Sequence, residues 1–161
     1  MLDTFNRMLA NAIYLVPLQV KRFKAKEPDS QILVAGATKA QKGDEDTGVR
    51  YEPGWIVSRR GVLILTSDKL VCGFWEIPLT SVINATLLRF KGLLSRWLVL
   101  KVATDDGSHY QFGLQYDPTW ETQTALKLTV EDGKIKYSAF SIVVRVALIL
   151  ALIGLVWSLI Q

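Results

Sequence analysis

The chain has few of the side chains that catalysis and metal binding require. Its 161 residues include one histidine, His109, and one cysteine, Cys72. One of each leaves no spacing typical of a metal site, and no glycine-rich loop precedes a Lys-Ser or Lys-Thr pair that could hold a nucleotide phosphate. Asp105 and Asp106 are adjacent in a turn, so their side chains diverge and do not form a catalytic carboxylate pair. The sequence therefore predicts no enzyme activity and no cofactor.

The single cysteine also bears on compartment and packing. One thiol cannot form an internal disulfide, which agrees with a reducing, cytoplasmic environment. Cys72 lies in an apolar strand pattern, so we expect it to be a small buried hydrophobic residue.

Positive charge is concentrated at the two ends of the sequence. The whole chain has 19 basic and 15 acidic residues. Residues 1–26 hold five basic residues and one acid, residues 27–133 hold 11 and 14, and residues 134–161 hold three and none. The middle segment is slightly acidic, so the basic pI does not indicate nucleic-acid binding. Charge beside apolar ends is typical of contact with lipid headgroups.

The longest apolar stretch is residues 139–160, which comprises 22 residues with Arg145 as its one charge. A helix of this length spans about 30 Å, the thickness of a bilayer's hydrocarbon core. Arg145 lies near the start, where its side chain can reach the headgroups. The stretch predicts a transmembrane helix; a buried helix of a soluble core is the alternative. The residues predicted to contact lipid chains are Phe140, Ile142, Val143, Val146, Leu148, Ile149, Leu152, Leu155 and Trp157.

The flanks of this stretch predict its orientation. Lys134 and Lys136 precede it, Arg145 points the same way, and only Gln161 follows it. Because positive residues favour the cytoplasmic side, we expect a single-pass, tail-anchored membrane protein whose N-terminal domain is cytoplasmic. All three cations are predicted headgroup contacts.

A second apolar pattern opens the chain. Residues 2–16 predict an amphipathic helix that Pro17 ends or kinks. Its apolar face is expected to consist of residues that recur at spacings of three and four: Leu2, Phe5, Leu9, Ile13 and Val16. A basic cluster follows, formed by Lys21, Arg22, Lys24 and Lys26. An apolar face followed by cations is typical of a helix at an anionic bilayer surface. The alternatives are that this helix packs on its own domain, or on the C-terminal span or a partner subunit.

Residues 27–133 read as one small β domain. We expect a strand at 31–37, a polar surface loop at 39–53 and short strands from 54 to 114. Asp-Gly at 106–107 predicts a hairpin turn. We further expect a helix that starts near Asp117-Pro118 and continues past Leu126, then a turn at 131–133 that leads to residues 134–161.

The order of motifs in this domain resembles that of GRAM domains, a family with the pleckstrin-homology fold. The matching segments are GVLILT at 61–66, KLV at 69–71, IPL at 77–79, DG at 106–107 and YQF at 110–112. The resemblance covers about residues 30–130. It implies an antiparallel sandwich of about seven short strands capped by one helix. It also implies membrane lipid or protein recognition without catalysis.

Two loop tips carry apolar side chains. Leu93 and Leu94 are flanked by Arg96 and Trp97, a combination suited to insertion among lipid headgroups. Folding back onto the domain, or cover by a neighbouring subunit, remains the alternative there. For Phe74-Trp75 we favour folding back, or cover by a neighbouring subunit, over membrane contact.

Two functions are consistent with these patterns. The first is a non-catalytic module held at the membrane surface. The second is an accessory subunit of a larger membrane complex, in which the same apolar surfaces contact protein.

Overall fold

The computed structural model describes residues 2–44, 59–92 and 95–133. The helices in this part are α1 (Leu2–Ile13), α2 (Val16–Lys26) and α3 (Thr119–Thr122). The strands are β1 (Ile32–Gly43), β2 (Arg59–Thr66), β3 (Lys69–Cys72), β4 (Trp75–Pro78), β5 (Val82–Lys91), β6 (Arg96–Thr104), β7 (His109–Gln115) and β8 (Thr129–Asp132). The described part is mainly β, as the sequence predicts.

The eight strands form one curled sheet in the order β4-β3-β2-β1-β7-β6-β5-β8. β1 lies at its centre because residues 32–40 pair with β2 and residues 38–43 pair with β7. Neighbouring strands are antiparallel except at one edge, where β8 runs parallel to β5. A strand of 12 residues is long enough to serve two partners, and this shared strand joins the two halves of the sheet.

Alternation along the strands divides the side chains between two faces. Leu98, Leu100 and Val102 of β6 point to the inside of the curl and belong to its inner core. Trp120 of α3 joins the same core and is 1% exposed. The short α3 therefore contributes its largest side chain to the interior.

A second core lies on the outer face of β1, β2 and β3. It is formed by Val16, Phe23, Ala37, Val62, Ile64 and Val71. Val16 and Phe23 come from α2, so the expectation that Val16 shares the apolar face of the first helix is wrong. Ala10 of α1 and Tyr14, in the turn after α1, pack against the same cluster. The N-terminal region thus covers part of its own domain, one of the alternatives that the sequence left open.

Three expectations about local structure are wrong. Residues 39–43, expected to begin a surface loop, belong to β1 instead, because they pair with β7; residues 45–53 of the expected loop lie outside the described residues. The helix expected to pass Leu126 ends at Thr122. The turn expected at 131–133 is instead occupied in part by β8, which the backbone of β5 holds in place. For β1 and β8, pairing between distant segments outweighed the local pattern. After α3, the side chain of Gln123 forms hydrogen bonds with the backbone of Leu126 in place of a further helical turn.

Other expectations are confirmed. The N-terminal helix breaks before Pro17, with α1 ending at Ile13 and α2 starting at Val16. Gly107 has a φ of +79° in the turn between β6 and β7, a conformation that favours glycine. Cys72 is buried.

Within residues 2–44, 59–92 and 95–133, the helices are too short or too polar to cross a membrane. The predicted span at 139–160 lies outside the described residues.

Candidate functional site

Helix α1 is attached to the sheet through polar side chains. Asp3, Arg7 and Asn11 follow one another at intervals of four residues and so lie on one face of the helix. Arg7 Nη1 lies 2.7 Å from Asp117 Oδ2. Asn11 Oδ1 accepts a hydrogen bond from the backbone N–H of Ala37 at 3.2 Å. This polar face therefore points toward the domain.

A further attachment joins Asp3 to Arg96 through two hydrogen bonds. Asp3 Oδ1 accepts the backbone N–H of Arg96 at 2.9 Å, and Asp3 Oδ2 accepts Arg96 Nε at 2.8 Å. These bonds to Arg96, the backbone bond first, lower the pKa of Asp3, and the side-chain bond raises the pKa of Arg96. The guanidinium of Arg96 also lies 3.8 Å from the centre of the Tyr116 ring. Arg96, a predicted headgroup contact, is thus held by two protein groups.

The opposite face of α1 is apolar and exposed. We call Leu2, Phe5, Leu9 and Ile13 the outer stripe of α1; they are 55, 64, 50 and 68% exposed. An amphipathic helix on a soluble domain normally buries its apolar face and leaves its polar face in water. α1 has the reverse arrangement, because its polar face is bound to the domain.

A backbone break separates α1 from α2. Leu15 has a φ of +53°, which costs energy for a residue with a branched side chain. The break turns the chain so that Val16 and Phe23 of α2 pack on the sheet. The four cations of the basic cluster are all exposed on this helix. Of the four, Lys26 has a long ion pair, at 3.7 Å to Glu76.

Of the remaining predicted lipid-contact residues, Trp97 is the one that lies within the described part of the chain. Trp97 is half-buried and stacks on Phe90, with ring centres 5.7 Å apart. Phe74, expected to fold back or be covered, is instead exposed, and the guanidinium of Arg59 lies 4.0 Å from its ring centre. Trp75 does pack against the inner core. The predicted contacts that lie outside the described residues are Leu93, Leu94, Lys134, Lys136, Arg145 and the nine apolar residues of the span.

Two features of this region were missing from the sequence-based prediction. The anchoring face of α1 could have been found from the spacing of Asp3, Arg7 and Asn11, because residues four apart share a helix face. Met8, Leu15 and Leu18 are further exposed apolar residues near the outer stripe. They escaped notice because they do not follow the spacing of Phe5, Leu9 and Ile13.

The described part of the chain contains no group of three or more His, Cys, Asp or Glu side chains that could hold a metal ion. His109 is half-buried at the start of β7.

Protein-family models give no match to this chain. Curated protein sequences give none either.

Proposed function

We propose that this chain is a non-catalytic, tail-anchored membrane protein whose cytoplasmic domain sits at the bilayer surface for lipid or protein recognition. The observation that carries the proposal is the inverted attachment of α1. Asp3, Arg7 and Asn11 are used to hold the domain, and the outer stripe is left to face away from it. A bilayer surface is the occupant that this arrangement fits.

Two free-energy contributions support binding to a bilayer: burial of apolar side chains and attraction of cations to an anionic surface. Fully burying a Leu, Ile or Phe side chain is worth about 1.5–3 kcal/mol. The four residues of the outer stripe are half to two-thirds exposed, so their burial in lipid is worth roughly 1 kcal/mol or more each. Each Lys or Arg near an anionic surface adds about 1 kcal/mol. The four cations of α2 therefore contribute about as much as the apolar stripe.

The position of the cations favours anionic lipid over an apolar protein surface. All four side chains are exposed on α2, directly after the break at Leu15. An apolar stripe followed by a set of cations matches the boundary between acyl chains and anionic headgroups.

A second part of the proposal rests on the sequence alone: residues 139–160 form the membrane anchor, and the cations Lys134, Lys136 and Arg145 place the domain on the cytoplasmic side.

The fold supports a pleckstrin-homology/GRAM-like domain in two respects. Strands β1–β7 form seven consecutive antiparallel members of one curled sheet. A helix with a buried tryptophan, Trp120, follows the last of them. The single-turn length of α3 and the added strand β8 differ from the simple pattern of seven strands and one capping helix.

The test measures the depth of α1 in a bilayer. The full chain, with Cys72 replaced by Ala and a single new cysteine at Leu9, is nitroxide-labelled and reconstituted into vesicles of phosphatidylcholine with phosphatidylglycerol. We expect the label to collide more often with oxygen, which dissolves in lipid, than with a water-soluble nickel chelate.

The matched control is a label at Asp105. This residue follows the last residue of β6, whose first residue, Arg96, binds α1. Because β6 is nine residues long, its two ends lie about 30 Å apart, so Asp105 lies far from the end of β6 that binds α1. We expect the control label to favour the nickel chelate. A label at Leu9 that behaves in the same way would refute the bilayer proposal and favour cover by a protein subunit.

A further inference from the structure

Two like charges face each other across the central strand pair. Lys39 of β1 pairs directly with Arg60 of β2. Both side chains lie on the outer face of the sheet, because Ala37 and Val62, two residues away on each strand, belong to the outer core. Directly opposite side chains have Cβ atoms about 5 Å apart, and like charges there are destabilising.

Neither cation is neutralised by an acid within the described residues. The ion pairs of this part of the chain involve Arg7, Lys26, Lys69, Arg89 and Arg96. Lys39 and Arg60 are not among them. A bound anion would relieve this repulsion, because an opposite charge nearby stabilises both cations.

Arg60 also lines a groove between the N-terminal helices and the outer face of β2 and β3. The groove encloses about 610 Å³, a size typical of small-molecule sites. Arg22 of α2 also lines it, and Val62, Ile64 and Val71 form an apolar floor. The groove therefore combines an apolar wall with two guanidinium groups that have no acidic partner within residues 2–44, 59–92 and 95–133.

The acids of the groove are already paired. Glu27 Oε1 accepts Lys69 Nζ at 2.9 Å, and Glu76 Oε2 accepts the same nitrogen at 3.0 Å. Lys26 approaches the other oxygen of Glu76. These contacts neutralise the two carboxylates and leave Arg22 and Arg60, among the described residues that line the groove, without an acidic partner. Lys39 lies beside Arg60 on the neighbouring strand and does not line the groove.

One residue connects the groove to the proposed membrane surface. Ile13 lines the groove and is also the last member of the outer stripe, where it is 68% exposed. The groove thus opens beside the face that we place on lipid, within reach of the headgroup layer.

We propose that this groove binds the phosphate-bearing headgroup of one anionic phospholipid. The guanidinium groups of Arg22 and Arg60 bind the phosphate oxygens, Lys39 adds positive charge beside Arg60, and the apolar floor accepts the first part of the acyl chains. Guanidinium groups suit this task because they donate two parallel hydrogen bonds to a phosphate. The inference rests on the proposed function and names its ligand.

The test uses the full chain purified in a non-ionic detergent and native mass spectrometry. The chain is mixed with equal amounts of dioleoylphosphatidic acid and dioleoylphosphatidylcholine, and a third sample receives inorganic phosphate in excess over the phosphatidic acid. We expect one phosphatidic acid molecule to remain bound. Inorganic phosphate should not displace it, because the free ion lacks the contact with the apolar floor.

Variants then locate the site. Arg60→Gln should reduce retention of phosphatidic acid about tenfold, since it removes a charged hydrogen-bond donor. Arg22→Gln, on a different element, should do the same and so guards against misfolding of one variant. The matched control is Arg59→Gln, which removes the same charge one residue away. The Arg59 guanidinium contacts the Phe74 and Trp75 rings, and retention should stay unchanged.

Each other outcome overturns the inference. Equal retention of both lipids, displacement by inorganic phosphate, or equal losses in the Arg59 and Arg60 variants would do so. The labelling experiment on Leu9 depends on α1 and not on Arg60, so a failed bilayer proposal and a failed headgroup site are distinguishable.

Discussion

Asp3 and Arg96 are 93 residues apart in sequence and form two hydrogen bonds, through the side chain and the backbone N–H of Arg96. This pair fixes the N-terminal end of α1 next to the start of β6. It determines which face of α1 remains free. The exposed outer stripe is therefore a consequence of polar contacts on the opposite face.

Loss of the Asp3 carboxylate should loosen α1 without unfolding the sheet. In Asp3→Asn one of the acceptor oxygens becomes an N–H₂ group and the negative charge opposite Arg96 is gone. We expect backbone amides of α1 to exchange hydrogen several-fold faster, with those of β6 unchanged. Hydrogen exchange with mass spectrometry measures this. Asp29→Asn, at an exposed acid, is the control, and equal effects of both variants would refute the attachment.

The Asp3–Arg96 pair predicts that the attachment of α1 depends on pH. The pKa of Asp3 is lowered in the folded chain. The stability that its carboxylate adds to the attachment of α1 is therefore complete above pH 3.8, its ordinary pKa, and is lost as pH falls through the lower pKa of the folded chain. Exchange of the α1 amides, corrected for the intrinsic effect of pH, should therefore accelerate only below that ordinary value. Acceleration between pH 5 and 7 would contradict the prediction.

Asp106 should remain ionised to an unusually low pH. Its carboxylate accepts the Thr104 hydroxyl at 2.6 Å and the backbone N–H and hydroxyl of Ser108, both at 3.0 Å. These bonds, that of Thr104 first, lower its pKa to about 2. The stability it contributes is present above pH 3.8 and is lost as pH falls toward 2. NMR titration of the carboxyl carbon gives the pKa directly.

The matching variant is Asp106→Asn. It should lower stability at pH 7 and flatten the dependence of stability on pH between 4 and 2. Asp105→Asn is the control, because Asp105 is exposed in the same turn. A pKa near 3.8 for Asp106 would show that the turn does not hold its carboxylate.

Cys72 should be inert in the folded chain. It is 2% exposed, and burial raises the pKa of its thiol to about 11. Because the thiolate is the reactive form, we expect an aromatic disulfide reagent to react at pH 8 only at the rate at which the sheet opens. The same reagent in denaturant should react within seconds to minutes. Fast reaction under native conditions would contradict the observed packing.

The repulsion between Lys39 and Arg60 should be visible in stability. In the absence of lipid, Arg60→Gln removes one of two facing cations and should stabilise the chain by roughly 0.2–1 kcal/mol. Chemical denaturation in low salt measures the difference, and high salt should reduce it. Arg59→Gln, at the exposed neighbour, should give no such gain. A destabilised Arg60→Gln variant would mean that the pair is not repulsive.

Much of the local structure could be predicted because neighbouring residues decide it. Short apolar-rich segments between turn signals marked β2, β3, β6 and β7, Asp-Gly marked the turn before β7, and Pro17 marked the break between helices. Apolar residues at a spacing of four likewise located the outer stripe of α1. These features depend on backbone geometry and on side chains a few positions apart.

The tertiary structure decided everything that needs distant partners. The pattern of α1 predicted an apolar face but not whether that face would be buried, because Arg96, Asp117 and Ala37 had to be brought to its polar side. β8 and the extension of β1 depend on hydrogen bonds from other strands. Lys39 and Arg60 face each other only because the register of β1 and β2 aligns them. Sequence pattern determines which elements form, and long-range pairing determines which of their faces remain available.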